Sequence, residues 1–217
     1  MASFDWIAPY YDRLSRWVFG NSILAAQRYF LSQVPEGAHV LFVGGGSGLL
    51  LNDLLSLPQV QSVTYVEASG RMLAMAQERV AHLRANSCRS LPPVHFVHGT
   101  EHDISTAHPY SVVVTHFVLD MYKPPALCKM MRTIEATLAP RVLWLFADFE
   151  ISKQPHRRWW HEPLVKSMFL FFRLTAGLTV FRLPNYSLAF ERVGFSVREE
   201  QKFYGELIVS RVYSKPE

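Results

Sequence analysis

From His39 onward the chain alternates short apolar runs with longer stretches in which apolar residues recur every three or four positions. The runs are "HVLFVG", "SVTYVE", "VHFVH", "YSVVVTHFV" and "RVLWLFADF"; the periodic stretches include "LLLNDLLSL" and "RMLAMAQERVAHL". A strand covered on both faces reads as a continuous apolar run, whereas a helix lying on a sheet keeps a period near 3.6. The alternation therefore predicts an α/β domain with a mostly parallel central sheet and helices on both faces. "FSVREEQKFY" and "ELIVSRVYS", separated by Gly205, read as a terminal antiparallel pair.

The two flanks of this core read as helical. Between residues 4 and 33, Trp6, Tyr10, Leu14, Trp17 and Val18 fall at helical spacing, and Gly20-Asn21 divides the segment into two helices. Residues 156 to 193 are mostly helical and rich in aromatics ("RRWWHEPLVKSMFLFFRLTAGL"). The expected layout is one domain over 1–217: a helical cap at 1–36, a core at 37–150, a helical, aromatic-rich lid insertion at 151–193 and a strand pair at 194–217.

Composition changes this picture little. With 217 residues, 49% of them hydrophobic, the chain has enough apolar material for a packed core. The formal charge of +4 is spread along the chain, dense only at Lys153 to Arg158 and Arg192 to Lys202, so no nucleic-acid partner is expected. Asp5 and Asp12 interrupt the opening segment where a signal peptide needs an apolar core, and no window is long and apolar enough for a membrane span. Cys88 and Cys128 are isolated and suit a reducing compartment, so a cytoplasmic protein is expected.

The chemistry begins at "VLFVGGGSGLLL". In an open α/β sheet, ligands bind at the carboxyl ends of the strands. Gly44, Gly46 and Gly48 stand at such an end, where glycine permits a tight turn and a close approach of ligand to backbone. The residue after Gly48 is Leu49, where a dinucleotide fingerprint expects another small residue, and no lysine follows as in a phosphate-binding loop. Glu67 ends the next strand, 19 residues after Gly48, where a carboxylate can accept both hydroxyls of a ribose.

On these residues the chain resembles the class I S-adenosylmethionine-dependent methyltransferases, most clearly over residues 38 to 149. The resemblance implies the Rossmann-like fold of that family and S-adenosyl-L-methionine as cofactor. It assigns Gly44, Gly46 and Gly48 to the glycine loop, Glu67 to the ribose, Ala68 or Ser69 to a flank of the adenine, and Gly99, Thr100 and Glu101 to the loop after the third strand. Thr115, at the end of the fourth strand, joins the cofactor set. The opening "FDWIAPYYDRL" is similar to that of the ubiquinone/menaquinone-type branch, where this segment closes over cofactor and substrate, which implicates Tyr10 and Tyr11. Two positions depart from the family pattern: Phe42 stands where an acid often precedes the first glycine, and Thr100 where an aspartate is usual.

Methyl transfer needs a nucleophile in line with the donated methyl, with water excluded. His116 is the candidate base, with Asp120 four residues on to orient its ring; the bland reading makes His116 a wall and Asp120 a helix cap. Asp148, ending "LWLFAD", is a second carboxylate expected at the crevice. Trp160 and Phe169 are expected to line a chamber for a hydrophobic small-molecule acceptor, with Arg157 and Arg158 near a carboxylate on it. The aromatic insertion serves equally as a packed helix or a homodimer face. His95, His98 and His102 are close in sequence, but residues 95 and 98 of one strand point to opposite faces, so no metal site is expected. The expected activity is methylation of an oxygen or ring carbon of a hydrophobic aromatic compound. A binding module without catalysis and an NAD-dependent oxidoreductase are the competing readings.

Overall fold

The computed structural model describes Asp5 and residues 8–216; Phe4, Trp6 and Ile7 of the opening segment lie outside the described residues. Seven strands form one sheet: β1 (Ala38–Val43), β2 (Val60–Glu67), β3 (Val94–His98), β4 (Tyr110–His116), β5 (Leu138–Phe149), β6 (Ser196–Phe203) and β7 (Ile208–Ser214). Their order is β3-β2-β1-β4-β5-β7-β6, and the first five are parallel. Strand β7 runs antiparallel to both β5 and β6. The order reverses between β1 and β4, which opens a crevice at the carboxyl ends of those two strands.

Helices α3 (Leu51–Leu55), α4 (Gly70–Asn86), α5 (Pro124–Glu135) and α7 (Tyr186–Arg192) cover the sheet. Alternation along each strand sorts the core into two layers. Leu41, Val43, Val113, Trp144 and Phe146 pack with Met130, Met131 and Ile134 of α5 and Phe190 of α7. Val40, Phe42, Val112, Val114 and Leu145 pack with Leu51 and Leu54 of α3 and Ala76 and Val80 of α4. Capping sets where the helices begin: the Ser69 side chain accepts the Met72 N–H at the start of α4, and proline opens both α5 and the helix Pro155–Ala176.

Helices α1 (Ala8–Phe19), α2 (Ser22–Arg28) and α6 (Pro155–Ala176) gather at the carboxyl edge of the sheet. Phe19, Ala26, Phe149, Val165, Phe169 and Ile208 form a third core cluster there. Phe169 is thus a buried anchor of α6, not a chamber wall. Trp160 packs edge-on against His161 and Tyr204, and it fills the space above Gly205, where a Cβ would come within 2.8 Å of its ring. It holds α6 to the β6–β7 turn and does not line the cavity described below. Arg157 and Arg158 pair with Glu206 and Glu162, at 2.6 Å each, so their charges are answered within the chain. Pro163 lies inside α6 without ending it.

Thr115 also changes role. Its hydroxyl accepts the indole N–H of Trp144 at 2.8 Å, and the residue is fully buried. It lies on the face shared by Val113 and is not among the residues lining the cavity described below, so it holds Trp144 instead of a cofactor. No helix among the described residues is long and apolar enough to cross a membrane.

Thr115→Val keeps the shape of the side chain and leaves the Trp144 N–H buried without an acceptor. Urea unfolding should show a loss of about 1 to 3 kcal/mol, with cofactor affinity unchanged in calorimetry.

Candidate active site

A cavity of about 520 Å³ opens at the carboxyl ends of β1, β2 and β4. One half is built from the loops after β1, β2 and β3: Gly44 to Ser47, Glu67 to Ser69, and Gly99 to Glu101. Glu67 organises it. One carboxylate oxygen accepts the Gly46 N–H at 2.9 Å, and the other accepts the Ser69 N–H at 2.8 Å. Burial pushes the carboxyl above its ordinary range, and these N–H donors pull it back toward the ionised form. Each oxygen retains a further lone pair and Glu67 lines the cavity, so the group has the capacity to accept a vicinal diol.

The glycines divide their work. Gly46 has φ of +64°, and a Cβ built there meets only Met72 Sδ at 3.5 Å, so the left-handed backbone is what requires glycine. The Tyr65 hydroxyl donates to its carbonyl at 2.8 Å. Gly48 does not line the cavity: a Cβ there would lie 2.8 Å from Ala76, so it admits α4 to close packing. Phe42, where the family often carries an acid, is buried edge-on against Tyr65 and His116.

Helix α1 closes over the loop. Asp12 accepts the Ser47 hydroxyl at 2.8 Å and the Arg79 guanidinium at 2.8 Å, which fastens the cap to the glycine loop and to α4. Asp5 accepts the Ser69 hydroxyl. Tyr11 lines the cavity and lies close to Phe172 of α6, whereas Tyr10 is exposed and does not line it.

The loop after β3 also differs in detail from expectation. The Thr100 hydroxyl accepts the His102 N–H, and the Thr100 N–H donates to Asp103 at 2.8 Å, so its polar groups cap the short turn Glu101–Asp103. Glu101 supplies the carboxylate on this side. It is buried, lines the cavity and accepts the Tyr122 hydroxyl at 3.3 Å. The His98 ring lies 3.2 Å from the Ala68 carbonyl, and among the described residues no group of three or more His, Cys, Asp or Glu is placed to hold a metal ion.

The other half of the cavity is mostly apolar, with Ile23, Phe117, Val118, Met121 and Leu178 in its wall. His116 faces it. The ring is buried, its Nδ1 has no hydrogen-bond partner among the described residues, and burial lowers its pKa to about 3. Asp120 does not orient this ring, because Asp120 Oδ1 is itself without a partner. Nor does it cap α5, whose N-cap is Lys123. Asp148 is fully buried, accepts the Phe149 N–H at 2.8 Å and does not line the cavity. It shares the face of Phe146, the face opposite His116.

Gln27 and Gly177 to Thr179 line the cavity without a signal in the sequence, and Tyr122 lines it as well. Gln27 and the 177–179 segment come from cap and lid, whose placement follows from the third core cluster alone. Tyr122 offered a hint, since it follows β4 within six residues of His116.

The residues fit the adenosyl part of S-adenosylmethionine: a diol acceptor at Glu67, a glycine loop with an open face and a buried carboxylate at Glu101. The sheet order and this crevice define the class I methyltransferase fold. The chain belongs to the methyltransferase-domain family, whose model matches residues 18–200; S-adenosylmethionine is the cofactor of that class. Among solved structures, it is similar to the mitomycin 7-O-methyltransferase (17% identity, 90% of this chain and 54% of that one, TM-score 0.64). It is also similar to the Burkholderia thailandensis 1,6-didemethyltoxoflavin N1-methyltransferase, solved with 1,6-didemethyltoxoflavin and S-adenosylhomocysteine (16%, 98% and 86%, TM-score 0.66). At these identities the likeness is one of fold. Among curated proteins, the polyamine aminopropyltransferase of Moorella thermoacetica is 26% identical over 89 residues, 39% of this chain, and the chain spans 31% of its length. The quinone-type branch suggested by the opening segment has no specific counterpart among these relatives.

Glu67→Ala removes the diol acceptor and unties Gly46 from Ser69. Cofactor Kd should rise on the order of a hundredfold in titration calorimetry. His116 has its own signature. Its folded pKa lies below the unfolded value of about 6.5, so the unfolded chain binds more protons below that pH and stability falls with acid. Between pH 7 and pH 5, urea unfolding should show about 2 kcal/mol more loss in the wild type than in His116→Gln.

Proposed function

We propose that the chain is an S-adenosylmethionine-dependent methyltransferase that methylates an oxygen or ring carbon of a hydrophobic, aromatic small molecule. The observation that carries this reading is the continuity of one cavity, in which the Glu67–glycine-loop half opens directly onto the apolar half walled by Phe117, Met121 and Leu178. The cofactor, when bound, supplies an electrophilic methyl group. The protein's own part is positioning and exclusion of water: Glu67 and the glycine loop fix the donor, α1 closes over it through Asp12 and Ser47, and the apolar wall turns the acceptor toward it. Two structural relatives are named for small ring compounds, mitomycin and 1,6-didemethyltoxoflavin, which supports a small-molecule acceptor.

In this reading residues 1–217 are one domain: cap, cofactor-binding core, lid and strand pair. The enzyme works in the cytoplasm in a biosynthetic step, without metal or nucleic acid. His116 serves as a neutral wall, since a base of pKa about 3 captures a phenolic proton poorly.

Calorimetry with S-adenosylmethionine, S-adenosylhomocysteine and NAD, followed by transfer of a labelled methyl to a panel of hydroxylated aromatics, tests the proposal. The first two should bind, NAD should not, and label should pass to an organic-soluble product. Binding without transfer to any acceptor would support a non-catalytic module, and NAD binding would support an oxidoreductase.

A further inference from the structure

Helices α1 and α6 lie side by side, with the Tyr11 and Phe172 ring centroids 6.2 Å apart, and each turns large apolar side chains outward. On α1, Ala8 and Phe19 are buried, which puts Tyr10, Arg13 and Trp17 on the opposite side of the helix; Trp17 is 84% exposed. On α6, Val165, Phe169 and Ala176 are buried, and Trp159, Leu170 and Leu174 share the outer side at 73%, 57% and 77% exposure. Beyond the end of α6, Phe181 is 53% exposed, with the Arg173 guanidinium 4.9 Å from its ring centroid. Single exposed apolar residues are ordinary on a protein surface, but such side chains gathered on two adjacent helices mark an interaction surface.

Charge identifies the partner. Residues 13–35 and 163–190 contain no Asp or Glu. The acids nearest these segments in sequence are already engaged: Asp12 by Arg79, and Glu162 by Arg158 and Lys166. Arg13, Arg16, Arg173 and Arg182 are exposed, and none has an acidic partner among the described residues. A second copy docked about a twofold axis would set these arginines against their own counterparts. Nucleic acid answers the arginines but not the leucines. An anionic bilayer answers both, because Trp, Phe and Leu enter the boundary between headgroups and acyl chains while arginine stems carry their charges to the phosphates. No helix among the described residues can cross a membrane, so the contact is with the bilayer surface.

We propose that the cap and lid dock on an anionic phospholipid surface, with Trp17, Leu170, Leu174 and Phe181 inserted and Arg13, Arg16, Arg173 and Arg182 on lipid phosphates. This goes beyond the methyltransferase reading and does not depend on it. The docking elements also wall the cavity, through Tyr11 and Ser15 of α1 and Leu178 after α6.

Flotation of the full chain with vesicles of phosphatidylcholine, with and without about one third phosphatidylglycerol, tests the proposal. The chain should float with the anionic vesicles, be released as salt rises, and bind the neutral vesicles on the order of tenfold more weakly. Leu170→Ser with Leu174→Ser, and Arg173→Gln with Arg182→Gln, should each weaken binding about tenfold. Arg141 and Arg198 are exposed near the amino ends of β5 and β6, away from the cap, and Arg141→Gln with Arg198→Gln should leave binding within about twofold. Brominated acyl chains should quench the fluorescence of the wild type more than that of Trp17→Phe, a variant that keeps an aromatic ring at an exposed site. No flotation with anionic vesicles, equal loss in the Arg141 and Arg198 pair, or equal quenching in Trp17→Phe overturns the proposal. A dimer in sedimentation velocity that Leu170→Ser with Leu174→Ser abolishes also overturns it, in favour of a second copy on this face.

Discussion

One carboxylate holds the ligand side of this molecule together. Glu67, at the last position of β2, reaches across to the Gly46 N–H in the loop after β1 and back to the Ser69 N–H at the start of α4. A buried carboxylate is costly unless its oxygens are met by donors, and these backbone N–H groups meet them. The same contacts fix the conformations of two loops. Tyr65, two residues earlier on the same strand, adds a hydroxyl to the Gly46 carbonyl. The glycine loop is thus gripped from one strand at two points.

The cap is fastened to this loop and to the one after β2. Asp12 ties α1 to Ser47 and Arg79, Asp5 reaches Ser69, and Ser69 in turn caps α4. The cap is therefore polar where it meets the cofactor half and apolar where it meets α6, through Tyr11 and Phe172. Such a seam suits a segment that seals a chamber against water while leaving its apolar side adaptable.

The apolar half of the cavity owes its shape to a strained step. Phe117 has φ of 54°, unusual for an aromatic residue, and its N–H donates to the Ala147 carbonyl at 2.7 Å. This turns the chain after β4 so that Val118 comes over Gly44, where a Cβ would collide with it. Left-handed backbone at a residue with a side chain costs on the order of 1 kcal/mol, and it persists because the ring is held against Phe149. The turn leaves His116 in the cavity wall.

The sequence by itself determined the mostly parallel sheet and marked a crevice at the carboxyl ends of its strands, whereas the strand order that puts the switch between β1 and β4 is tertiary. Strand periodicity and loop chemistry are local, so "HVLFVG" and "SVTYVE" announce strands, and glycines followed by an acid announce a crevice. It misassigned groups whose role depends on where distant elements land. Thr115 stands next to His116 but points to the other face, toward Trp144; Gly48 belongs to helix packing; Trp160 and Phe169 are spent on holding α6. Gln27 and the 177–179 segment reach the cavity only because the third core cluster brings cap and lid over the sheet edge. Burial, which no local pattern encodes, is likewise what raises the carboxyl pKa of Asp120 and of Asp148.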